Sequence, residues 1–182
     1  MTTLEEFFNQ TLRNTDKGIA QSGHGYIEGY YSTELSDKRH LPLKFLEIGV
    51  DRGASIKFWT EWFTSADIYG IDITPALTIE NATIISGNAY TIDIVDRFQN
   101  NFFDYIIDDG PHTIESQIAC IAMWYPKLKI GGKIIIEDIQ EFSTTYTLAH
   151  AARTVGAAYR TIDLRARRNH HDDLMFEITK IN

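Results

Sequence analysis

Five ionisable residues fall in two short stretches of this sequence: Asp108, Asp109 and His112 in IIDDGPH, and Glu137 and Asp138 in IIIEDI. Each acid pair follows a short run that reads as a strand, Tyr105–Ile107 and Lys133–Ile136. Between them lies a helix-period segment with Ile114, Ile118, Ile121 and Tyr125 on one face. The unit reads as strand, helix, strand, with a connection long enough for a parallel crossover. Parallel neighbours point their carboxyl ends the same way, so both acid pairs emerge together at the edge where open α/β sheets bind ligands. So many carboxylates repel one another unless a cation sits among them. Oxygen donors of this kind suit Mg²⁺, Mn²⁺ or Ca²⁺ rather than a thiol-seeking metal. A single acid would read better as a solvated strand end or a helix cap; two pairs on adjacent strands favour the cation.

A hydroxyl is a poor nucleophile at neutral pH, and coordination to a metal lowers the pKa of a bound oxygen. Histidine titrates near neutrality and can then take the proton. His112 lies three residues past Asp109, beyond Gly110-Pro111, on the loop leading into the helix. A lone loop histidine is usually structural, but this one stands inside the acid cluster.

A second stretch, Phe45–Ser55 (FLEIGVDRGAS), is a strand followed by a glycine turn that opens a helix. Gly49 lets the backbone turn tightly and approach a ligand, and Gly53 with small Ala54 lets the helix start close to it. A plain strand-to-helix turn would look similar. The discriminating detail is Glu47, which stands where a dinucleotide fingerprint has its first glycine; an acid there repels a pyrophosphate and attracts a cationic amino-acid group. Asp72, closing the second strand, can accept ribose hydroxyls. Asn88, in Ser86-Gly87-Asn88-Ala89 after the third strand, can meet an adenine edge. Three polar groups on three successive strand ends suit adenosine with a cationic tail, which is S-adenosylmethionine.

With these residues in place, the sequence resembles the class I methyltransferases, in which E-x-G-x-x-x-G and the following acid bind S-adenosylmethionine. Thr15-Asp16-Lys17, His24-Gly25-Tyr26, IDDGPH and IEDI make it similar to the metal-dependent sugar O-methyltransferases of macrolide biosynthesis. That family also includes proteins described as cephalosporin hydroxylases. The similarity covers most of residues 14–140 as a spaced series of motifs. E-x-G-x-x-x-G alone is weakly specific, and its combination with D-G-x-H and the E-D pair is more so. The resemblance implies cofactor contacts from Glu47, Gly49, Gly53, Ser55, Asp72, Asn88, Ala89 and Asp108. It implies metal ligation by Asp109, Glu137 and Asp138, with Mg²⁺ as the expected ion, and His112 as general base beside Asp109. Asn88 departs from the pattern, since these enzymes often carry Asp there; an amide oxygen still accepts from an adenine amino group, so weaker rather than lost recognition is expected. The implied reaction is in-line attack of an acceptor hydroxyl, on a sugar or another small molecule, on the sulfonium methyl, releasing S-adenosylhomocysteine. The rival readings are a nicotinamide-dependent oxidoreductase, against which Glu47 and the acid cluster count, and a metal-dependent hydrolase, which leaves the glycine turn and Asp72 without a role.

The elements that must position these groups alternate along the chain. Residues 3–13 suit a short amphipathic helix with Leu4, Phe7, Phe8 and Leu12 on one side. Asn14–Leu35, rich in Gly, His and Tyr, shows no strand alternation; His24, Tyr26, Tyr30 and Tyr31 read equally as a cover over the site or as a packed flap. Strands are expected at Leu43–Ile48, Ile68–Ile73 (stopped by Pro75) and Ala82–Ser86, with helices at Ala54–Phe63 and Thr91–Gln99. In the latter, Ile92, Val95 and Phe98 share a stripe. After the central unit come a helix at Thr145–Val155 and strands at Tyr159–Leu164 and Leu174–Ile181. The link Arg165–Asp173 is too short for a crossover helix, so the last pair should be antiparallel. The fold class is α/β: a Rossmann-like seven-stranded mixed sheet, mostly parallel, with helices on both faces. Residues 1–42 form an N-terminal helix and flap within the same domain as the methyltransferase core at 43–182.

Composition excludes more than it identifies. The 182 residues are one domain's worth. The net charge of −8 argues against a general nucleic-acid or anionic-membrane surface. No apolar run approaches the roughly 18 residues needed to span a bilayer, and MTTLEEFFNQTLRNTDKG lacks the apolar centre of a signal peptide. A cytoplasmic protein is the expectation. Cys120 is the single cysteine, which excludes an intrachain disulfide and reads as core. Trp59 and Trp62, at helix spacing, read as packing. Arg165, Arg167, Arg168, His170 and His171 read as a solvated loop, or as a hold on an acidic acceptor or a partner. So few segments are left to wall the site off from water that a homo-oligomer is expected, and cyclic homodimers are the commonest oligomers.

Overall fold

The computed structural model describes residues 2–11, 15–19, 23–74, 77–168 and 171–182. Leu12, Asn14, Pro75, His170 and the side chain of Arg168, all invoked above, lie outside the described residues. Seven strands form one sheet: β1 (Lys44–Ile48), β2 (Asp67–Asp72), β3 (Ala82–Ser86), β4 (Phe103–Asp108), β5 (Leu128–Ile136), β6 (Ala158–Asp163) and β7 (Leu174–Thr179). Their spatial order is β3-β2-β1-β4-β5-β7-β6. β1 to β5 pair in parallel, and β7 runs antiparallel between β5 and β6. The order reverses between β1 and β4, and that is where an open α/β sheet leaves a crevice at its carboxyl edge.

Helices cover both faces. α4 (Ile92–Val95), α5 (Ile114–Trp124) and α6 (Thr144–Thr154) close one core around Phe103, Cys120, Trp124 and Phe176. Across the sheet, α1 (Leu4–Thr11), a π-helical turn at Ile27–Tyr31, α2 (Ser32–Leu35) and α3 (Ala54–Trp62) close a second core around Phe45, Phe58, Trp59 and Trp62. The basic link contains one more short helix, α7 (Arg165–Arg168). No helix among the described residues is long and apolar enough to cross a membrane.

Three departures from the sequence expectations have simple causes. α4 is a single turn rather than a helix over Thr91–Gln99: Ile94, Val95 and Phe98 are buried, but Ile92 is 65% exposed, so no continuous stripe sustains a longer helix. α5 presents Gln117, Cys120, Ile121 and Trp124 to the core while Ile114 and Ile118 are half-buried, a stripe rotated toward Trp124, whose Nε1 donates to the Ala89 carbonyl at 2.9 Å. β5 begins at Leu128, passing through Gly131-Gly132 with Gly131 at φ +80°, so the glycines bend the strand without ending it.

The segment after residue 26, which shows no strand pattern, is helical and fastened to the sheet through polar side chains. Tyr30 donates to Glu177 Oε2 at 2.5 Å, and Arg160 grips the same carboxylate through Nε at 3.0 Å and Nη2 at 2.7 Å. Lys133 joins Glu177 to Glu34 of α2. Burial alone would raise the Glu177 pKa, but Arg160, Tyr30 and Lys133 together hold it below the ordinary value. Its contribution to stability is therefore complete above the unfolded glutamate pKa of about 4.3 and is lost as pH falls through the lower folded value. Glu177→Gln should be destabilised relative to wild type in urea unfolding near neutral pH, with the gap narrowing as the pH is lowered below about 4. A pH-independent gap would show that the carboxylate's charge contributes nothing.

Candidate active site

The turn after β1 is built around contacts that only a glycine allows. Gly49 (φ +87°) donates its N–H to the Ile71 carbonyl at 2.9 Å, while Asp109 donates to the Ile48 carbonyl at 2.9 Å. The chain end of β1 is thus clasped from both neighbouring strands, and a Cβ on Gly49 would lie 1.9 Å from the Asp109 carbonyl oxygen. Gly53, also left-handed at φ +80°, is the N-cap of α3. Asp72 organises the same turn. Its Oδ2 accepts from Val50 N (2.8 Å) and Asp51 N (2.9 Å), and its Oδ1 accepts from the N–H and hydroxyl of Thr74, both at 2.8 Å. Partial burial opposes ionisation, but these donors outweigh it and lower the carboxyl pKa.

A cavity of about 780 Å³ opens over these strand ends. Gly49, Val50, Ser55, Asp72, Thr74, Asn88, Ala89 and Tyr90 line its body, and Asp109, Pro111 and His112 line the end toward β5. Asn88 spends one lone pair on Tyr90 N at 2.9 Å. Three expected cofactor residues, Glu47, Gly53 and Asp108, lie beneath this surface rather than on it. Glu47 is fully buried, and burial pushes its carboxyl up to about 7 against the pull of Lys17. Asp108, 2% exposed, accepts from the Tyr90 hydroxyl at 2.5 Å; burial pushes it up to about 6, against Tyr90 and the Cys120 thiol beside it. Cys120 itself is core, as its helix position suggests.

The acid pairs do converge, because Asp108 of β4 is in register with Ile136 of β5. At their centre is Lys17, 1% exposed. Its ammonium reaches Glu137 Oε2 in a short contact, Asp109 Oδ2 at 2.7 Å and Glu47 Oε1 at 3.2 Å. Desolvation works against its charge, but the three carboxylates raise its pKa well above the ordinary lysine value. The other oxygen of Glu137 accepts from the Tyr31 hydroxyl at 2.6 Å. Asp138 Oδ1 accepts a short hydrogen bond from Tyr26, whose ring stacks on His24.

At the cavity end, where Asp109 and His112 line the wall, these two meet Asp138 in a triad. His112 Nε2 lies 3.9 Å from Asp109 Oδ1 and 3.7 Å from Asp138 Oδ2. One ligand atom from each of these three residues lies within 4.8 Å of the others, the spacing of a cation site. His112 (φ +56°) and Asp138 (φ +52°) are both left-handed, a strained conformation for residues with side chains. His24, Asp172 and Asp173 form a second three-residue cluster nearby, with His24 Nδ1 2.8 Å from Asp173 Oδ1.

Tyr26, Tyr30 and Tyr31 thus take the packed role, holding carboxylates from behind, while Thr15 and Asp16 of the same segment line the cavity. Sequence reasoning missed the part played by Lys17 and Tyr90. Lys17 had a signal: so dense a group of buried acids needs a base, and the Thr15-Asp16-Lys17 motif offers one. Tyr90 had none beyond following Asn88-Ala89.

Fold and crevice together define a class I methyltransferase architecture, and comparisons place the chain within it. A family described as "Methyltransferase domain" matches residues 46–139, and the chain belongs to that family. It is 30% identical over 121 residues to mycinamicin VI 2''-O-methyltransferase of Micromonospora griseorubida, covering 60% of this chain and 30% of that protein. It is 25% identical over 158 residues to 8-demethyl-8-(2-methoxy-alpha-L-rhamnosyl)-tetracenomycin-C 3'-O-methyltransferase of Streptomyces olivaceus, covering 81% and 40%. The chain thus spans less than half the length of either relative. Among solved structures, the MycE methyltransferase of the mycinamycin pathway, in complex with Mg and SAH, superposes with a TM-score of 0.72 at 20% identity, covering 99% of this chain and 55% of that one. The Methanococcus jannaschii fibrillarin pre-rRNA processing protein gives 0.62 at 18% identity, covering 78% and 67%. These likenesses show the shared fold.

The Gly49 geometry yields a direct test. Gly49→Ala should lower stability by at least the roughly 1–3 kcal/mol of a strained backbone position, read by urea unfolding. An unchanged midpoint would mean that the clasp between β1 and the Asp109 carbonyl yields freely.

Proposed function

We propose that this chain transfers the methyl group of S-adenosylmethionine to a hydroxyl of a small-molecule acceptor, a sugar being the acceptor class favoured by the curated relatives. The observation that carries this reading is the charge of the cavity. Asp16, Asp51, Asp72 and Asp109 line it, with Arg52 and His112 as the basic residues among the lining groups. Such a wall disfavours a pyrophosphate and favours a cofactor with a cationic sulfonium and amino group. Asp72 and Asn88 supply the acceptors for ribose and adenine, at the strand ends where an adenosine fits an open α/β sheet. Membership of the methyltransferase-domain family also sets this reading above the oxidoreductase and hydrolase alternatives.

Asp109 Oδ1 and Asp138 Oδ2 are carboxylate oxygens turned to one point beside His112, a donor set that suits Mg²⁺. Asp109 and Asp138 would hold the ion. Glu137, the third expected ligand, has both oxygens engaged by Lys17 and Tyr31. A bound divalent cation supplies stabilisation of negative charge on the acceptor oxygen. His112 takes the proton from that hydroxyl at Nε2, which faces both aspartates. The strained backbone at His112 and Asp138 fixes these side chains before substrate arrives. The walls of the crevice orient the methyl donor for in-line attack and exclude water from the sulfonium.

Titration calorimetry with S-adenosylmethionine tests the cofactor: Asp72→Ala should weaken binding, and equal affinity in variant and wild type would remove Asp72 from the site. His112→Ala should keep cofactor affinity while kcat on an established acceptor falls by about 10²–10⁴-fold. A near-normal kcat would make His112 a bystander.

A further inference from the structure

S-adenosylmethionine carries an α-carboxylate as well as its two cationic groups. Asp16, Asp51, Asp72 and Asp109 in the cavity lining attract the sulfonium and the ammonium, but they repel that carboxylate. An anion held among acids needs a fixed positive charge beside it. Two basic residues line the cavity, His112 at the end toward β5 and Arg52 on the glycine turn after β1. The turn holds the backbone of Arg52 firmly. Gly53 donates to the Val50 carbonyl at 2.8 Å, which closes a four-residue turn with Arg52 in its third position. Asp51 (φ +44°) and Gly53 (φ +80°), on either side of it, are both left-handed, a conformation that is costly at Asp51. Val50 and Asp51 donate their N–H groups to Asp72, so the carboxylate assigned to the ribose also anchors the backbone from which Arg52 projects. Arg160 and Arg165 are each gripped at two nitrogens by a carboxylate. Arg52 is exposed, and among the described residues its guanidinium has no hydrogen-bond or ion-pair partner.

Building on the S-adenosylmethionine reading above, we propose that Arg52 holds the α-carboxylate of the cofactor's methionyl group, so that the site selects the whole amino-acid end and not adenosine alone. A planar guanidinium offers a carboxylate two parallel N–H donors, a match that an ammonium lacks. Each part of the cofactor then meets its complement: acids for the sulfonium and ammonium, Arg52 for the carboxylate, Asp72 and Asn88 for ribose and adenine. The carboxylate takes no part in methyl transfer. Arg52 therefore tethers the methionyl chain from its unreactive end and helps to fix where the sulfonium lies. S-adenosylhomocysteine keeps the same carboxylate, so the contact contributes equally to donor and product and acts on affinity rather than on the chemical step. His112 is left to the acceptor.

The test is titration calorimetry with S-adenosylhomocysteine and with its decarboxylated analogue, which keeps the ammonium and lacks the carboxylate; circular dichroism checks folding. Wild type should bind S-adenosylhomocysteine about tenfold more tightly than the analogue, the scale of a hydrogen bond to a charged partner. Arg52→Gln should lose about tenfold in affinity for S-adenosylhomocysteine and stay within about twofold of wild type for the analogue. Arg52→Lys, which keeps the charge but not the fork, should fall between wild type and Arg52→Gln. Equal losses for both ligands would put the effect at the adenosine end or in the turn itself and overturn the proposal. An Arg52→Gln variant that binds S-adenosylhomocysteine as wild type does would also overturn it. Should Arg52→Gln fail to fold, the wild-type comparison decides, and equal affinity for the two ligands overturns the proposal. Wild-type binding of S-adenosylhomocysteine without dependence on Arg52 would keep the cofactor reading and end the proposal alone. No binding of either ligand by wild type would end both.

Discussion

A single buried ammonium makes the carboxyl edge of this sheet possible. Glu47, Asp109 and Glu137 project from β1, from the turn after β4 and from the turn after β5, and register brings them within reach of one atom. Without a counter-charge, three carboxylates in so dry a place would force one another to protonate or the turns to part. Taking Lys17 out of water costs several kcal/mol, and the cost is offset only because three partners answer it at once. The ammonium also comes from outside the sheet, so the electrostatics of the site and the docking of the N-terminal layer are one interaction.

The rest of that layer extends the same logic. Tyr26, Tyr30 and Tyr31 each bury a ring in the second core and donate a hydroxyl to a carboxylate: Asp138, Glu177 and Glu137 in turn. Burial and the facing acids raise all three phenol pKa values, so they remain donors across the working range. Each tyrosine supplies apolar area and satisfies an acid that the fold has desolvated. The segment that read equally as a cover or as a packed flap is packed, and its tyrosines are the foundation on which the acid turns rest.

With the back of the cluster satisfied, the front is left for chemistry. Asp109 and Asp138 each direct one oxygen toward His112, and the left-handed backbone at His112 and Asp138 aims the side chains where an ordinary turn would not. The cavity runs along the ends of β1, β2 and β3, from Asp109 and His112 to the rim where Asp72 and Asn88 stand.

The sequence by itself determined the order of strands and helices, the parallel unit that gathers Asp108–Asp109 with Glu137–Asp138, and the glycine turn at Gly49. These are carried by local signals: hydrophobic period, turn residues and the connection length that parallel pairing requires. Gly49 was legible because a tight turn needs a residue without a Cβ, although the atom it must avoid, the Asp109 carbonyl, lies 60 residues away in the chain. Only the tertiary structure decided which acids face the crevice and which face inward. Glu47 and Asp108 read as cofactor contacts but lie beneath the cavity, because a strand end gives no sign of which side its neighbour will cover. Lys17 was legible only as part of the Thr15-Asp16-Lys17 motif, and its partners appeared once folding carried it across 120 residues to Glu137. Long-range pairing of charge has no period for a sequence to show; it exists only once the N-terminal layer is laid on the sheet.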